Sequence, residues 1–263
     1  MATVASPPPS RVPEGSTSDA PWQPLADCGY GNSAFYHVNF DDFDASSGTP
    51  ANFYTVSVAG TGAAVASVAV DGGAFLYTAG TTAGSASTQN GKASFTVNSA
   101  PKKVFFQTRM QASAAALGTA TVSLLAGLIQ TTATPGTVTD GVYFTYSNGV
   151  LKINSTIASA TTSVTIPTAA YSSAIVANTN FDLAFYINRA GDVLAFVDTQ
   201  LVGFVPQSNI GTTNGPQNAG AVARMTAPSL TTAILNPTLA IIQGGTTASC
   251  TMQVDFFGAY KER

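Results

Sequence analysis

Few residues in this chain could do chemistry, and their spacing says little for any of them. Asp41, Asp42 and Asp44 form the one acidic cluster. A calcium loop needs oxygen ligands at alternate positions, a glycine turn and a late bidentate carboxylate. Phe43 interrupts the run and no Glu follows it, so the cluster reads as a solvated strand end or turn. If the strand continues, Asp42 and Asp44 share one face and Asp41 takes the other. His37 is the single histidine. It sits in an alternating segment without a second histidine or a Glu nearby, which makes it a packed or surface residue rather than a base. A glycosidase needs two carboxylates facing each other across a cleft. The glutamates are Glu14 and Glu262, near the two ends, and an Asp182–Asp192 pair is available by arithmetic alone. No Gly-x-Ser-x-Gly, phosphate-loop or dinucleotide fingerprint occurs. Cys28 and Cys250 lie far apart, without metal-ligand spacing. In a reducing cytosol they are expected to be two buried thiols, a disulfide requiring that the chain ends meet. The expectation is a protein with no catalytic residue, no metal and no cofactor.

Composition points the same way. Charged residues make up 9% of the 263 positions, against about 25% in an ordinary soluble domain. Thr, Ser, Ala, Gly, Val and aromatics fill their places. The net charge is −3 and the ten Lys and Arg residues are scattered, so no basic field exists for nucleic acid. No secretory signal is read at Met1–Ser10, and the longest apolar runs, such as Val122–Ile129, fall well short of the ~20 residues of a spanning helix. Neither nucleic acid nor membrane is expected as a partner. With 45% hydrophobic residues the chain can build a sizeable core.

The elements that would position any site are strands. Residues 1–35 stand apart, because Pro7-Pro8-Pro9, Pro13, Pro21 and Pro24 favour polyproline II or coil. This arm reads either as a frayed tail or as an extended segment lying along a neighbouring subunit. On the second reading Pro8, Arg11, Trp22, Pro24 and Tyr30 are the contact residues, with Trp22 as anchor. From Tyr36 onward short alternating runs follow one another to the C-terminal end, so 36–263 is expected to be one β-sandwich. Clear strands are Tyr36–Phe40, Val65–Val70, Val104–Met110, Val122–Ile129, Asp140–Tyr146, Phe181–Asn188, Val193–Val197, Leu201–Val205, Leu239–Ile242 and Thr251–Tyr260. Turns fall at Asp71-Gly72-Gly73, Asn148-Gly149 and Asp198-Thr199-Gln200. Residues 79–91 and about 207–220 read as loops; Ala112–Ala116 could nucleate a helix, but Gly118 and the β-branched run after it argue for a loop. Phe105, Tyr143, Phe181, Phe185, Phe196, Phe256 and Phe257 are expected in the core. The absence of sustained 3.6-residue periodicity makes the fold all-β: an antiparallel two-sheet sandwich or jelly roll with an extended Pro-rich arm.

Four pieces carry a resemblance. They are Phe40-Asp41-Asp42-Phe43, then Ala126-Gly127-Leu128-Ile129 followed by Asp140-Gly141-Val142-Tyr143-Phe144, then Phe185-Tyr186-Ile187-Asn188 through Gly191-Asp192 and Ala195-Phe196-Val197-Asp198 to Val202-Gly203, and last Val254-Asp255-Phe256-Phe257. In that order, and most of all over residues 104–260, they resemble the concanavalin-like, laminin-G-like sandwich of many bacteriophage virion proteins. The resemblance implies a final strand pairing close to the first. It also implies a non-enzymatic capsid decoration or cement protein that bridges subunits on the outer shell. Its partners would then be the major capsid protein and further copies of itself, as a trimer or dimer, on a virion assembled in the host cytoplasm. The alternative is a carbohydrate-binding, host-attachment module of a head or tail fibre. The loops at 207–220 and 79–91 would supply amides for it, though they hold no aromatic residue.

Overall fold

The computed structural model describes residues 36–43, 54–70, 73–81, 83–89, 95–97, 103–130, 136–188, 191–205, 223–224, 230–245 and 249–262. The arm with Pro8, Arg11, Trp22, Pro24 and Tyr30 lies outside these residues, as do Glu14, Cys28, Asp44 and the 207–220 loop.

Alternation of side chains drives the chain into two sheets. Sheet I has nine strands: β1 (Tyr36–Asp41), β3 (Ala63–Val68), β4 (Ala74–Ala79), β7 (Val104–Ala112), β12 (Phe181–Ile187), β13 (Val193–Val197), β14 (Gln200–Val205), β15 (Ala223–Arg224) and β17 (Thr251–Glu262). Sheet II has eight: β2 (Thr55–Ala59), β5 (Gly84–Gln89), β6 (Phe95–Thr96), β8 (Val122–Gln130), β9 (Gly141–Ser147), β10 (Val150–Ile157), β11 (Ala160–Thr165) and β16 (Ile234–Gln243). Sheet I runs β15-β14-β13-β12-β7-β17-β4-β3, with β1 also on β17, and sheet II runs β11-β10-β9-β8-β16-β5-β2, with β6 also on β16. Among the described residues all pairs are antiparallel except β14–β15. The final strand does pair with the first, from Tyr36 opposite Glu262 to Asp41 opposite Phe257. The chain is an all-β sandwich.

The inner faces meet in one core. Phe106 stacks on Phe185 at 5.3 Å, and Phe185 meets Phe144 of the opposite sheet at 6.1 Å. Each such ring, fully withdrawn from water, contributes about 2–3 kcal/mol. Phe43 closes one end of the core: its φ is 61°, and its ring stacks on Phe75 at 4.2 Å. Asp41 holds that left-handed turn by accepting from the Phe43 amide at 2.7 Å and from the Tyr54 hydroxyl. This carboxylate of the acidic cluster is therefore occupied by the fold. Gly127 is required by close approach, because a Cβ there would lie 2.5 Å from the Tyr143 Cα.

Three sequence expectations are corrected. Residues 79–91 are not one loop, since Gly84–Gln89 is an interior strand between β2 and β16. Its Ser, Thr and Gln residues hide the apolar alternation, yet Thr88 and Gln89 are buried and hydrogen-bonded, Thr88 to Tyr77 and Gln89 to Thr238. Residues Ala114–Gly118 form a short helix, α1, whose Ala116 amide is capped by the Ser113 hydroxyl at 3.3 Å. The strand expected at Leu239–Ile242 is longer, Ile234–Gln243, and contains Pro237. That proline falls where the neighbour on one side changes from β6 to β5, so the ladder is already interrupted there. The strand aromatics expected in the core are all buried, but in separate clusters. Phe181, Phe185 and Phe257 lie between the two sheets, whereas Phe105 and Phe196 cluster with Tyr260 on the outer face of sheet I, and Tyr143 packs with Leu125, Ile129 and Ala240 on the outer face of sheet II.

Candidate functional site

The outer face of sheet I carries the charge. On β7, Val104, Phe106, Thr108 and Met110 point inward, which turns Phe105, Gln107, Arg109 and Gln111 outward. Register then sets Arg109 opposite Asp182 on β12 and opposite Phe256 on β17. The guanidinium grips the Asp182 carboxylate in a fork, Nε to Oδ1 at 2.7 Å and Nη2 to Oδ2 at 3.0 Å. It also lies over the Phe256 ring, 5.5 Å from the centroid. Asp198 accepts from the Asp182 amide at 2.7 Å.

Two irregularities build this arrangement. A bulge between Val254 and Phe256 advances β17 by one residue at Asp255. Val254 stays in the core, Phe256 turns outward beneath Arg109, and Phe257 returns to the core. Without it the ring under the guanidinium would be inside. A second register shift, between Ala195 and Phe196, bends the β13–β14 hairpin beside Asp198. The tip of that hairpin, Asp198-Thr199, has φ of 44° and 72°. A β-branched residue in the left-handed region is strained, and bulges and strain collect near binding sites.

Electrostatics follow from the packing. Burial raises the Asp198 carboxyl above the usual carboxylate range; the Asp182 amide opposes this and the Asp182 carboxylate adds to it. The hydrogen bonds that Arg109 donates to Asp182 push its pKa further up, so the guanidinium stays charged. Beside it, Gln111 and Gln253 face each other across β7 and β17. Both are half-buried, and among the described residues neither side-chain amide makes a hydrogen bond. One guanidinium edge, two carboxylates and two amides thus converge on a small area of a face otherwise poor in charge. Among the described residues no group of His, Cys, Asp or Glu is disposed to hold a metal.

The residues singled out from sequence fall elsewhere or are spoken for. His37 points to the inner side and packs on Phe95 at 5.1 Å. Asp182 and Asp192 are not a facing pair: Asp182 opens β12 beside Arg109, whereas Asp192 lies beyond the other end of that hairpin, bonded to Asn188 at 2.9 Å. Cys250 is buried just ahead of β17. Gln111, Gln253 and Arg109 were not singled out. The signal for them is a polar residue at each outward position of a strand whose inward positions are apolar.

No protein-family profile matches the chain, and no curated protein matches it in sequence. Solved structures do match in fold. A protein of unknown function from Shewanella oneidensis MR-1 superposes with a TM-score of 0.53 at 13% identity, over 92% of this chain and 94% of that one. Botulinum neurotoxin type C, whose cell entry is dependent upon interaction with two ganglioside molecules, gives 0.51 at 9% identity, over 86% of this chain and 47% of the toxin chain. The chain therefore spans about half the length of that toxin chain. A carbohydrate esterase of Shiga toxin-encoding bacteriophage phi24B covers 85% of this chain and 99% of its own at a TM-score of 0.45, too distant to support an argument. At these identities the likeness is of fold alone: a jelly-roll-like β-sandwich, which hosts binding modules and enzymes alike.

Proposed function

We propose that this chain is a non-catalytic carbohydrate-binding module that attaches a larger particle to host glycan through the Arg109–Gln111–Gln253 end of sheet I. The observation that carries the reading is the convergence of two amides, unpartnered among the described residues, with a guanidinium edge and two carboxylates on one half-exposed surface. Sugar hydroxyls both donate and accept, and a site of paired amides and carboxylates serves both roles. Asp182, Asp198 and Asp255 outnumber Arg109, so neutral hexoses suit this site better than acidic sugars. The fold likeness to a ganglioside-dependent toxin supports a sandwich in this role. Of the two stretches first considered for glycan contact, 79–91 contains an interior strand, and 207–220 lies outside the described residues. The test is a glycan array of the full chain beside Gln111→Ala and Gln253→Ala. Retained binding of neutral oligosaccharides by both variants would remove the site from the proposal. Binding by none of the three proteins would remove the function.

A second reading, a capsid decoration or cement protein bridging shell subunits as a trimer or dimer, is supported by the 9% charge content. Large static interfaces are depleted of charge at their centres. Antibody labelling of purified virions tests it, an even label over the head being the expected result.

A further inference from the structure

The other end of the same face has a different character. Cross-strand register aligns Leu194, Tyr186, Phe105, Tyr260 and Val38 in one row. The next row runs Phe196, Ala184, Gln107, Gly258 and Phe40. These side chains point away from the core, yet Phe105 and Tyr260 are each 3% exposed, and Gln107 is 1% exposed. Among the described residues neither Nε2 nor Oε1 of Gln107 has a hydrogen-bond partner. A buried amide left unpaired loses about 1–3 kcal/mol per group, which marks a place where a partner's backbone belongs. Gly258 leaves room for the Tyr260 ring to lie across the floor toward Phe40; a Cβ there would stand 2.8 Å from that ring and 3.2 Å from Phe40.

We propose that the occupant of this aromatic surface is the chain's own Pro-rich segment, residues 1–35, docked in cis with Trp22 on the Tyr186–Leu194 side. Four observations carry it. An aromatic-lined face is the surface on which proline-rich segments dock, because the polyproline II form is already ordered. Polyproline II makes no internal hydrogen bonds, so its peptide carbonyls are available to Gln107 Nε2. The segment enters the sheet at Tyr36, and Val38 and Phe40 of the strand it enters already belong to the patch. Reach is sufficient: Trp22 stands about 14 residues before Tyr36, roughly 43 Å of polyproline II, while the strands from β1 to β14 span about 24 Å. The 207–220 stretch, with Ile210 as its one large apolar residue, offers little to an aromatic face. This inference is independent of the glycan reading, which uses the opposite end of the face.

Trp22 is the only tryptophan, so the full chain reports on itself. Docking predicts a blue-shifted indole emission and several-fold weaker acrylamide quenching than in a free peptide of residues 1–35. Leu194→Arg should bring both values to those of the peptide while the sandwich keeps its circular dichroism and melting temperature. Thr55→Arg, exposed on sheet II, should change neither. If Leu194→Arg fails to fold, nuclear Overhauser contacts between the Trp22 indole and the Tyr186 ring in the unmodified chain decide, and their absence overturns the proposal. Peptide-like quenching in the unmodified chain overturns it as well. Protection that disappears on dilution to monomer would assign the arm to a neighbouring copy and refute docking in cis.

Discussion

Arg109→Met isolates the ion pair at the centre of the site. Methionine keeps an unbranched stem over Phe256 and removes the fork to Asp182. The Arg109 and Asp182 side chains are 30% and 16% exposed, so the pair lies between a surface bridge and a buried one. Exposed pairs contribute about 0–1 kcal/mol and a broken buried pair loses about 3–5. Solvent screening at this exposure places the loss at roughly 2 kcal/mol, or about 4–8 °C in melting temperature for a chain of this size. Urea unfolding should show the midpoint falling while the slope m stays unchanged. Asp182→Asn alone and the double variant complete a cycle, whose coupling should be about 1–2 kcal/mol. Arg109→Lys should recover only part of the loss, since an ammonium cannot form the fork. A change under ~0.5 kcal/mol, the range of an ordinary surface substitution, would refute the reasoning, because the pair would then not hold the two strands.

Three further outcomes follow from the same geometry. Asp198 binds its proton more tightly in the folded chain than in the unfolded one, so its charge disfavours folding near neutral pH. That penalty fades as pH falls through the raised folded value toward the unfolded value of 3.8, and Asp198→Asn should be the more stable protein near neutrality, with the difference closing over that window in urea titrations. Thr199→Gly relieves a φ of 72°; left-handed strain of about 1–2 kcal/mol less the entropy of glycine leaves a net gain of ~0.5–1 kcal/mol, readable by calorimetry. Phe43→Ala removes a ring that is 1% exposed and stacked on Phe75. It should lower stability by about 3–5 kcal/mol in the same assay.

What could be read in advance was whatever local pattern encodes. Asn148-Gly149, with φ of 50° and 74°, is the turn its dipeptide announces, and strands such as Gly141–Ser147 and Phe181–Ile187 show their alternation openly. The strand Gly84–Gln89 did not, because its stability comes from neighbours on both sides rather than from its own apolar residues. Ala160–Thr165 was hidden in the same way by its threonines. The site depended on register between distant segments: Arg109 and Asp182 are 73 residues apart and meet only because β7 and β12 pair as they do. The adjacent Phe256-Phe257 was a legible sign, since two neighbouring large apolar residues contradict strict alternation and mark a bulge.

The central claim is that the Gln111–Gln253 end of sheet I receives a sugar. Its most direct test is a nuclear magnetic resonance titration of the full chain with a neutral hexose oligosaccharide, following the side-chain amides of Gln111 and Gln253 and the Arg109 guanidinium. The account predicts saturable shifts at those groups together with the Asp198-Thr199 turn, while the Thr88 and Gln89 signals of sheet II stay still. Saturable shifts confined to another surface, or none across neutral oligosaccharides, would contradict it.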